Sequence, residues 1–368
     1  MSISRIAYLI IFLITLQNLN LQAQNTSDFS VLSSSLKEEI PNRMASKNVP
    51  GMAIAVFDKG KVVFQNGFGY ANVSTKTAVN EKTGFNIGSI SKLFTAWGVM
   101  SLVKKGKVSL DEPVETYLTQ WKLPKSDFDE KKVTIRALLS HTAGLSVHGY
   151  EGYNPNAKLP SLEASLSGES RADEKVEVIL DPQTEFKYSG GGYTILQLMI
   201  EEVSGLSFQK FMKQEVFIPL KMSSTTFDID RKTLKKSATG YNEAGEAIYL
   251  ERFTAQAAAG LHTNLEDLIK FAQATFDGSA VLTNEEIAMM RQPLPVTKGR
   301  YGLGYMTLPM GPVKMVGHAG SNDGWESAFL FDFTDNSGLI MLTNGSLGKD
   351  VAISTMRQWV MWKQKSSR

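Results

Sequence analysis

A serine and a lysine three residues apart, Ser89 and Lys92 in the stretch GSISKLF (Gly88–Phe94), have the spacing of a nucleophile and its base. A serine hydroxyl attacks a carbonyl only when another group takes its proton. A lysine can take it only as the neutral amine. Moving a lysine pKa from about 10.4 to about 7 costs roughly 4–5 kcal/mol, at about 1.4 kcal/mol per unit. The neighbouring Phe85, Ile87 and Phe94 offer the apolar surroundings that favour the neutral form. If Ser89 opens a helix, Lys92 falls on the same face, and the free N–H groups and positive dipole end of the helix face the reacting oxygen. The same spacing also begins at Ser34, Ser101, Ser207 and Ser346. A capping serine followed by a solvated lysine satisfies the pattern equally well, so the four letters alone do not choose.

Other chemistries find less support. The chain has no cysteine and only four scattered histidines, His141, His148, His262 and His318. That leaves no thiolate, disulfide or lipid-anchored cysteine and no metal-ligand spacing, so neither a metal nor a cofactor is expected. The glycines Gly190–Gly192 lack the spacing of a phosphate loop. A net charge of +2 gives no reason to expect nucleic acid, and the basic run Arg231, Lys232, Lys235 and Lys236 reads as a solvated helix face.

The elements that must position Ser89 can be read in outline. Met52–Phe57 and Val62–Gln65 flank the turn residues Asp58-Lys59-Gly60 and predict a hairpin. Ser91–Lys105 predicts a largely buried helix ended by Gly106. Helices are also expected over Thr134–Leu139, Tyr193–Val203, Phe208–Val216, Leu265–Phe276 and Val351–Trp362. Strands are expected over Gly302–Leu308, Val313–Val316, Ser327–Phe333 and Leu339–Thr343, and a long loop over Gly149–Arg171. Strands at both ends with helices between them predict an α/β (α+β) fold: an antiparallel sheet from both termini, flanked by helices, with a helical insertion. The expected division is a sheet part at about residues 28–90 and 255–366 and a helical part at about 91–254.

Arg5, the apolar run Ile6–Leu16 and Ala23 predict a cleaved secretory leader over residues 1–23. The apolar run is too short to span a bilayer, and no later stretch is long and apolar enough to do so. The mature protein is expected in the periplasm or secreted.

Five blocks in order carry a family resemblance: FNIGSISK (Phe85–Lys92), VTIRALLSHTAGLS (Val133–Ser146), FKYSGGGYTILQLMIEEVSG (Phe186–Gly205), AAAGLHTNLEDLIKF (Ala257–Phe271) and GHAGSNDGW (Gly317–Trp325). The series resembles the penicillin-recognising serine hydrolases, which include class C β-lactamases, D-alanyl-D-alanine carboxypeptidases and related esterases and D-aminopeptidases. The likeness runs over about residues 28–366. It implies Ser89 as the acylated nucleophile, Lys92 as its proton partner and Tyr188 of Tyr188-Ser189-Gly190 as general base or relay. A tyrosinate would need a nearby cation, and Lys92 is the implied one. His318-Ala319-Gly320 matches the third motif, with the backbone N–H groups of Ser321 and Ser89 as the implied oxyanion hole. His318 and Gly320 are then expected at the substrate; His141 is expected to be structural.

Two residues depart from the β-lactamase pattern. Gly190 stands where class C enzymes have asparagine, and His318 stands where they have lysine. The first removes a side-chain amide, the second a permanent cation for a substrate carboxylate. Both argue against efficient β-lactam hydrolysis and leave acyl transfer intact. The implied function is an exported serine hydrolase acting on a small ester, amide or peptide. The alternative is a slowly acylated or non-catalytic binding and sensor module on the same fold.

Overall fold

The computed structural model describes residues 29–169 and 174–366, so the expected leader over residues 1–23 lies outside the described residues. Helix α1 covers residues 29–46. Strands β1 (Gly51–Asp58), β2 (Lys61–Asn72), β3 (Thr77–Ala78) and β4 (Gly84–Asn86) lead to helix α2 (Ser91–Lys104). The middle of the chain carries α3 (Ile135–Leu139), α4 (Leu162–Leu166), α5 (Gly190–Ser204), α6 (Phe208–Met212) and α7 (Arg231–Lys236). The small hairpin β5 (Gly240–Tyr241) and β6 (Ala247–Ile248) comes next, then α8 (Gln256–Ala259), β7 (His262–Asn264), α9 (Leu265–Asp277) and α10 (Asn284–Arg291). The last part is β8 (Met306–Met310), β9 (Val313–Asn322), β10 (Trp325–Asp332), β11 (Ser337–Thr343) and α11 (Gly348–Ser366).

Seven strands form one antiparallel sheet in the order β3-β2-β1-β11-β10-β9-β8. Its centre is the pairing of β1 with β11, which joins the two ends of the chain. Residues 91–254 add no strand to it. Side chains alternate between its faces. Ala53, Ala55 and Phe57 face the core shared with α2, α5 and α9, whereas Met52, Ile54 and Val56 face α1 and α11. Because both faces are covered, β1 is buried along most of its length and reads as a continuous apolar run. In α1, Leu32, Leu36, Ile40 and Met44 recur every four residues and bury one stripe against the sheet.

Several boundaries differ from expectation for local reasons. Helix α5 starts at Gly190 rather than Tyr193, because the Ser189 hydroxyl accepts the Gly192 N–H at 3.1 Å and caps a turn of three glycines. Strand β8 begins at Met306; the expected start at Gly302 falls in a buried turn where the Gly304 N–H donates to the Leu139 carbonyl at 3.0 Å. Strand β9 runs on through HAGSN to Asn322, because β10 pairs with it as far as Trp325↔Asn322. The segment expected as an unbroken loop over Gly149–Arg171 contains α4, capped by Ser161.

Candidate active site

The site forms where α2 meets the end of β9. β8 pairs with β9 from Val313 to Gly317, so His318–Asn322 have β10 on one side and lie beyond the reach of β8 on the other. The tight 3₁₀ turn Gly88–Ile90 packs against this edge and leads into α2. Gly88 has φ +49, and a Cβ there would lie 2.6 Å from the Ser321 nitrogen. Only glycine permits both the conformation and the approach. The Ser321 backbone is thereby held beside the Ser89 turn.

Polar side chains clamp the turn. Asn86 Oδ1 accepts the Gly88 N–H at 2.9 Å and the Asn322 amide at 2.7 Å. Ser327 Oγ donates to the Ile87 carbonyl at 2.9 Å, and Ser91 Oγ donates to the Gly88 carbonyl at 2.6 Å while accepting the Leu261 N–H at 3.0 Å. Each of these side chains ties the turn to a different element.

Lys92 is buried, and its Nζ lies 3.2 Å from Ser89 Oγ and 2.7 Å from the Ala258 carbonyl, to which it donates. No carboxylate pairs with it among the described residues. Burial pushes its pKa from 10.5 down to about 7. Tyr188 adjoins both groups, with its ring centroid 4.8 Å from the lysine Nζ. Burial raises the tyrosine pKa, and a hydrogen bond with Ser89 offsets this only in part. Both directions run against the tyrosinate and lysine cation that a Tyr188 base would need. Burial disfavours the charged form of each group, raising the tyrosine pKa and bringing the lysine pKa to about 7.

His318 lines the same cleft as Ser89, with its ring held by protein partners. It is buried, its Nε2 is 2.8 Å from the Tyr301 hydroxyl, and its Nδ1 is 2.5 Å from the Ala319 carbonyl. The carbonyl can only accept, so Nδ1 donates and Nε2 accepts a hydrogen bond from the Tyr301 hydroxyl. Burial first, and the Lys92 charge second, push the histidine pKa down to about 3. The ring borders the cavity but has both nitrogens committed, so it does not offer a substrate a free donor. His141 supports Tyr188 from behind: its ring lies 4.1 Å from the tyrosine ring, and its Nδ1 accepts the Ser189 N–H at 3.1 Å.

Ser89, Lys92, Tyr188, His318, Gly320 and Ser321 all line one cleft of about 740 Å³. Residues from separate blocks of the sequence thus converge. The clamps Asn86, Asn322 and Ser327, and the carbonyl of Ala258, did not stand out in the sequence. Their signal was position: Asn86 and Ala258 fall within or beside quoted blocks, and Asn322 follows Ser321 in GHAGSNDGW.

The model of the family described as Beta-lactamase matches residues 36–359. The chain belongs to the beta-lactamase family. It is similar to the curated "Protein flp" of Staphylococcus aureus (strain MRSA252), at 25% identity over 83% of this chain and 61% of that protein. It is also similar to the "Putative penicillin-binding protein PbpX" of Bacillus subtilis (strain 168), at 28% identity over 74% of this chain and 66% of that protein. The chain thus spans less than two thirds of the length of these curated relatives. Among solved structures, the octameric penicillin-binding protein homologue from Pyrococcus abyssi superimposes with a TM-score of 0.73 at 27% identity, over 88% of this chain and 78% of that one. The fold is accordingly that of the family's β-lactamase and penicillin-binding serine hydrolases. Among the described residues no helix is long and apolar enough to cross a membrane, and no histidine–carboxylate cluster could hold a metal.

The two departures from the family pattern have local settings. Gly190 is the first residue of α5, with its N–H on the His148 carbonyl at 2.9 Å. His318 is sealed by Tyr301.

Proposed function

We propose that this protein is an exported serine hydrolase that cleaves an ester or amide through an acyl-enzyme on Ser89. The observation that carries this reading is Lys92, buried with no counterion among the described residues, 3.2 Å from Ser89 Oγ and with its pKa lowered to about 7. A buried lysine of that kind is costly to keep, and a general base near neutrality is what it supplies.

As Ser89 Oγ bonds to the substrate carbonyl carbon, neutral Lys92 takes the hydroxyl proton. The carbonyl oxygen becomes an oxyanion between the backbone N–H groups of Ser89 and Ser321. When the intermediate collapses, the C–O or C–N bond breaks and the leaving group takes the proton of Tyr188. The lysine ammonium returns a proton to Tyr188. The products of this half are the Ser89 ester and a free alcohol or amine. In the second half water adds to the acyl carbon, Lys92 takes its proton, and Ser89 leaves with a proton restored, releasing the acid.

His318 supplies no cation, which favours neutral esters and amides over substrates recognised by a carboxylate. The leader read over residues 1–23 supports a periplasmic or secreted site of action. N-terminal sequencing of the exported protein should find a start near residue 24; a retained Met1 on a membrane-bound product would contradict export with cleavage.

The test of the nucleophile is covalent. A fluorophosphonate probe should label the wild-type protein and leave Ser89→Ala unlabelled. Equal labelling of both would refute the assignment. Labelling of Ser89 without turnover of any p-nitrophenyl ester would favour the slowly acylated binding module, a reading that Gly190 and the sealed His318 keep in play.

A further inference from the structure

The cleft that holds Ser89 continues well past the reacting groups. Beyond the reacting groups it rounds β9 where the pairing with β8 has ended and opens on the opposite face of the sheet, between β8 and α11. The change of face follows from the alternation along the strands. Phe329 and Phe331 of β10 point into the core beneath α2 and α9, whereas Ala328 and Leu330 point toward α11. In β9, Ala319 is paired with Ala328 and shares its face, while His318 is paired with Phe329. A group attached at Ser89 therefore reaches the outer face by passing over Ala319.

The continuation is apolar. Met306, Leu308 and Met310 of β8 form one wall, at alternate positions that share a face. Ala352, Ile353 and Met356 of α11 form the other. Ala319 and Ala328 keep the floor low. The charged residues of the cleft, Glu326, Lys349 and Arg357, are half-buried or exposed. Three of the lining residues are methionines, whose unbranched side chains adjust to ligands of varying length. A cleft of about 740 Å³ lies within the range of ligand sites, roughly 300–1,000 Å³.

We propose that this trough is a subsite for a linear alkyl chain, and that the preferred substrates are esters or amides carrying a medium-length or long unbranched alkyl group. The proposal rests on the reading of Ser89 as nucleophile, since it is continuity with Ser89 that makes the trough a substrate subsite. Its physical basis is that each methylene moved from water into the trough adds binding energy, and a trough with apolar walls rewards length.

Two measurements separate failure of the subsite from failure of the catalytic reading. The first compares kcat/KM for p-nitrophenyl acetate, butyrate, octanoate and decanoate. The octanoate-to-acetate ratio should exceed about tenfold in the wild type, a fraction of what full burial of the added methylenes allows. It should fall toward one in Ala352→Trp, which fills the trough, and fall partly in Ile353→Glu, which places charge on a half-buried wall. Hydrolysis with a ratio near one in the wild type overturns the subsite and leaves the nucleophile standing. The second measurement needs no turnover. Dansylated undecanoic acid should bind Ser89→Ala with blue-shifted emission, and Ala352→Trp or Ile353→Glu should weaken that binding by about tenfold or more. If no ester is hydrolysed, probe binding that both wall variants weaken upholds the alkyl site while the catalytic reading falls. Probe binding that ignores both wall variants, or none at all, overturns the subsite whatever the kinetics show.

Discussion

Two lysines of the described residues, one half-buried and one buried, have opposite surroundings. Lys363 of α11 is enclosed by Asp332, Asp335 and the Ser337 hydroxyl, all within hydrogen-bonding distance. Burial raises the Asp332 pKa, and hydrogen bonds from Lys363 and Thr334 outweigh that and leave it below its usual value. Lys92 has a carbonyl and a serine hydroxyl instead, with aromatic rings beside it, and its charge is suppressed. The first arrangement surrounds the amine with carboxylates. The second gives the charge up. A fold that only needed to tolerate a lysine would adopt the first; the second is useful when the free amine is needed.

The largest contrast between them should be in reactivity. Lys92→Met should slow phosphonylation of Ser89 by about 10²–10⁴, the usual contribution of a general base. Lys363→Met, remote from the cleft lining, should leave the rate per folded molecule nearly unchanged. Similar losses in both variants would erase the distinction.

Stability should invert the order. Lys363→Met strands a buried Asp332 carboxylate, and removing one partner of a buried pair costs about 3–5 kcal/mol. Denaturant unfolding at pH 7 checks this, and a loss below about 1 kcal/mol would place the pair with ordinary surface bridges.

The smallest effect concerns Lys92 and pH. Its folded pKa of about 7 lies below the ordinary 10.5, so the unfolded chain binds the additional proton between those values. Stability should then rise with pH across that window. The difference, 10.5 − 7, corresponds to a ceiling of about 5 kcal/mol. Lost hydrogen bonds to Ala258 and Ser89 return about 1–3 kcal/mol of it. Lys92→Met should therefore be more stable than wild type by about 2 kcal/mol at pH 6 and lose that margin by pH 10. A margin independent of pH would mean that Lys92 titrates normally.

Much of this contrast was hidden in the sequence, for physical reasons. Ser89, Lys92 and Tyr188 could be named because each stands in a block whose order is informative, and the hairpin was legible from Asp58-Lys59-Gly60 between two apolar runs. The protonation pattern was not legible. It depends on Ala258 and the packed rings around Lys92, which the fold brings from distant parts of the chain. His318 was identified as the third-motif residue, but its partner Tyr301 comes from the turn before β8, and nothing in GHAGSNDGW announces it. Helix α1 went unread although Leu32, Leu36, Ile40 and Met44 recur with helical spacing. The start of α5 was misplaced because three glycines argue against a helix, and the Ser189 cap that overrides them is a single hydrogen bond.

The central claim is that Lys92 is the neutral base of Ser89, and the pH dependence of Ser89 phosphonylation tests it most directly. Rates measured with a fluorophosphonate from pH 5 to pH 10 should rise about tenfold per pH unit at the acid end and level off above about 7, where Lys92 has lost its proton. In Lys92→Met the dependence should vanish along with most of the rate. A wild-type rate that is flat from pH 5 to pH 9, or one that climbs without levelling toward 10.5, would contradict the account.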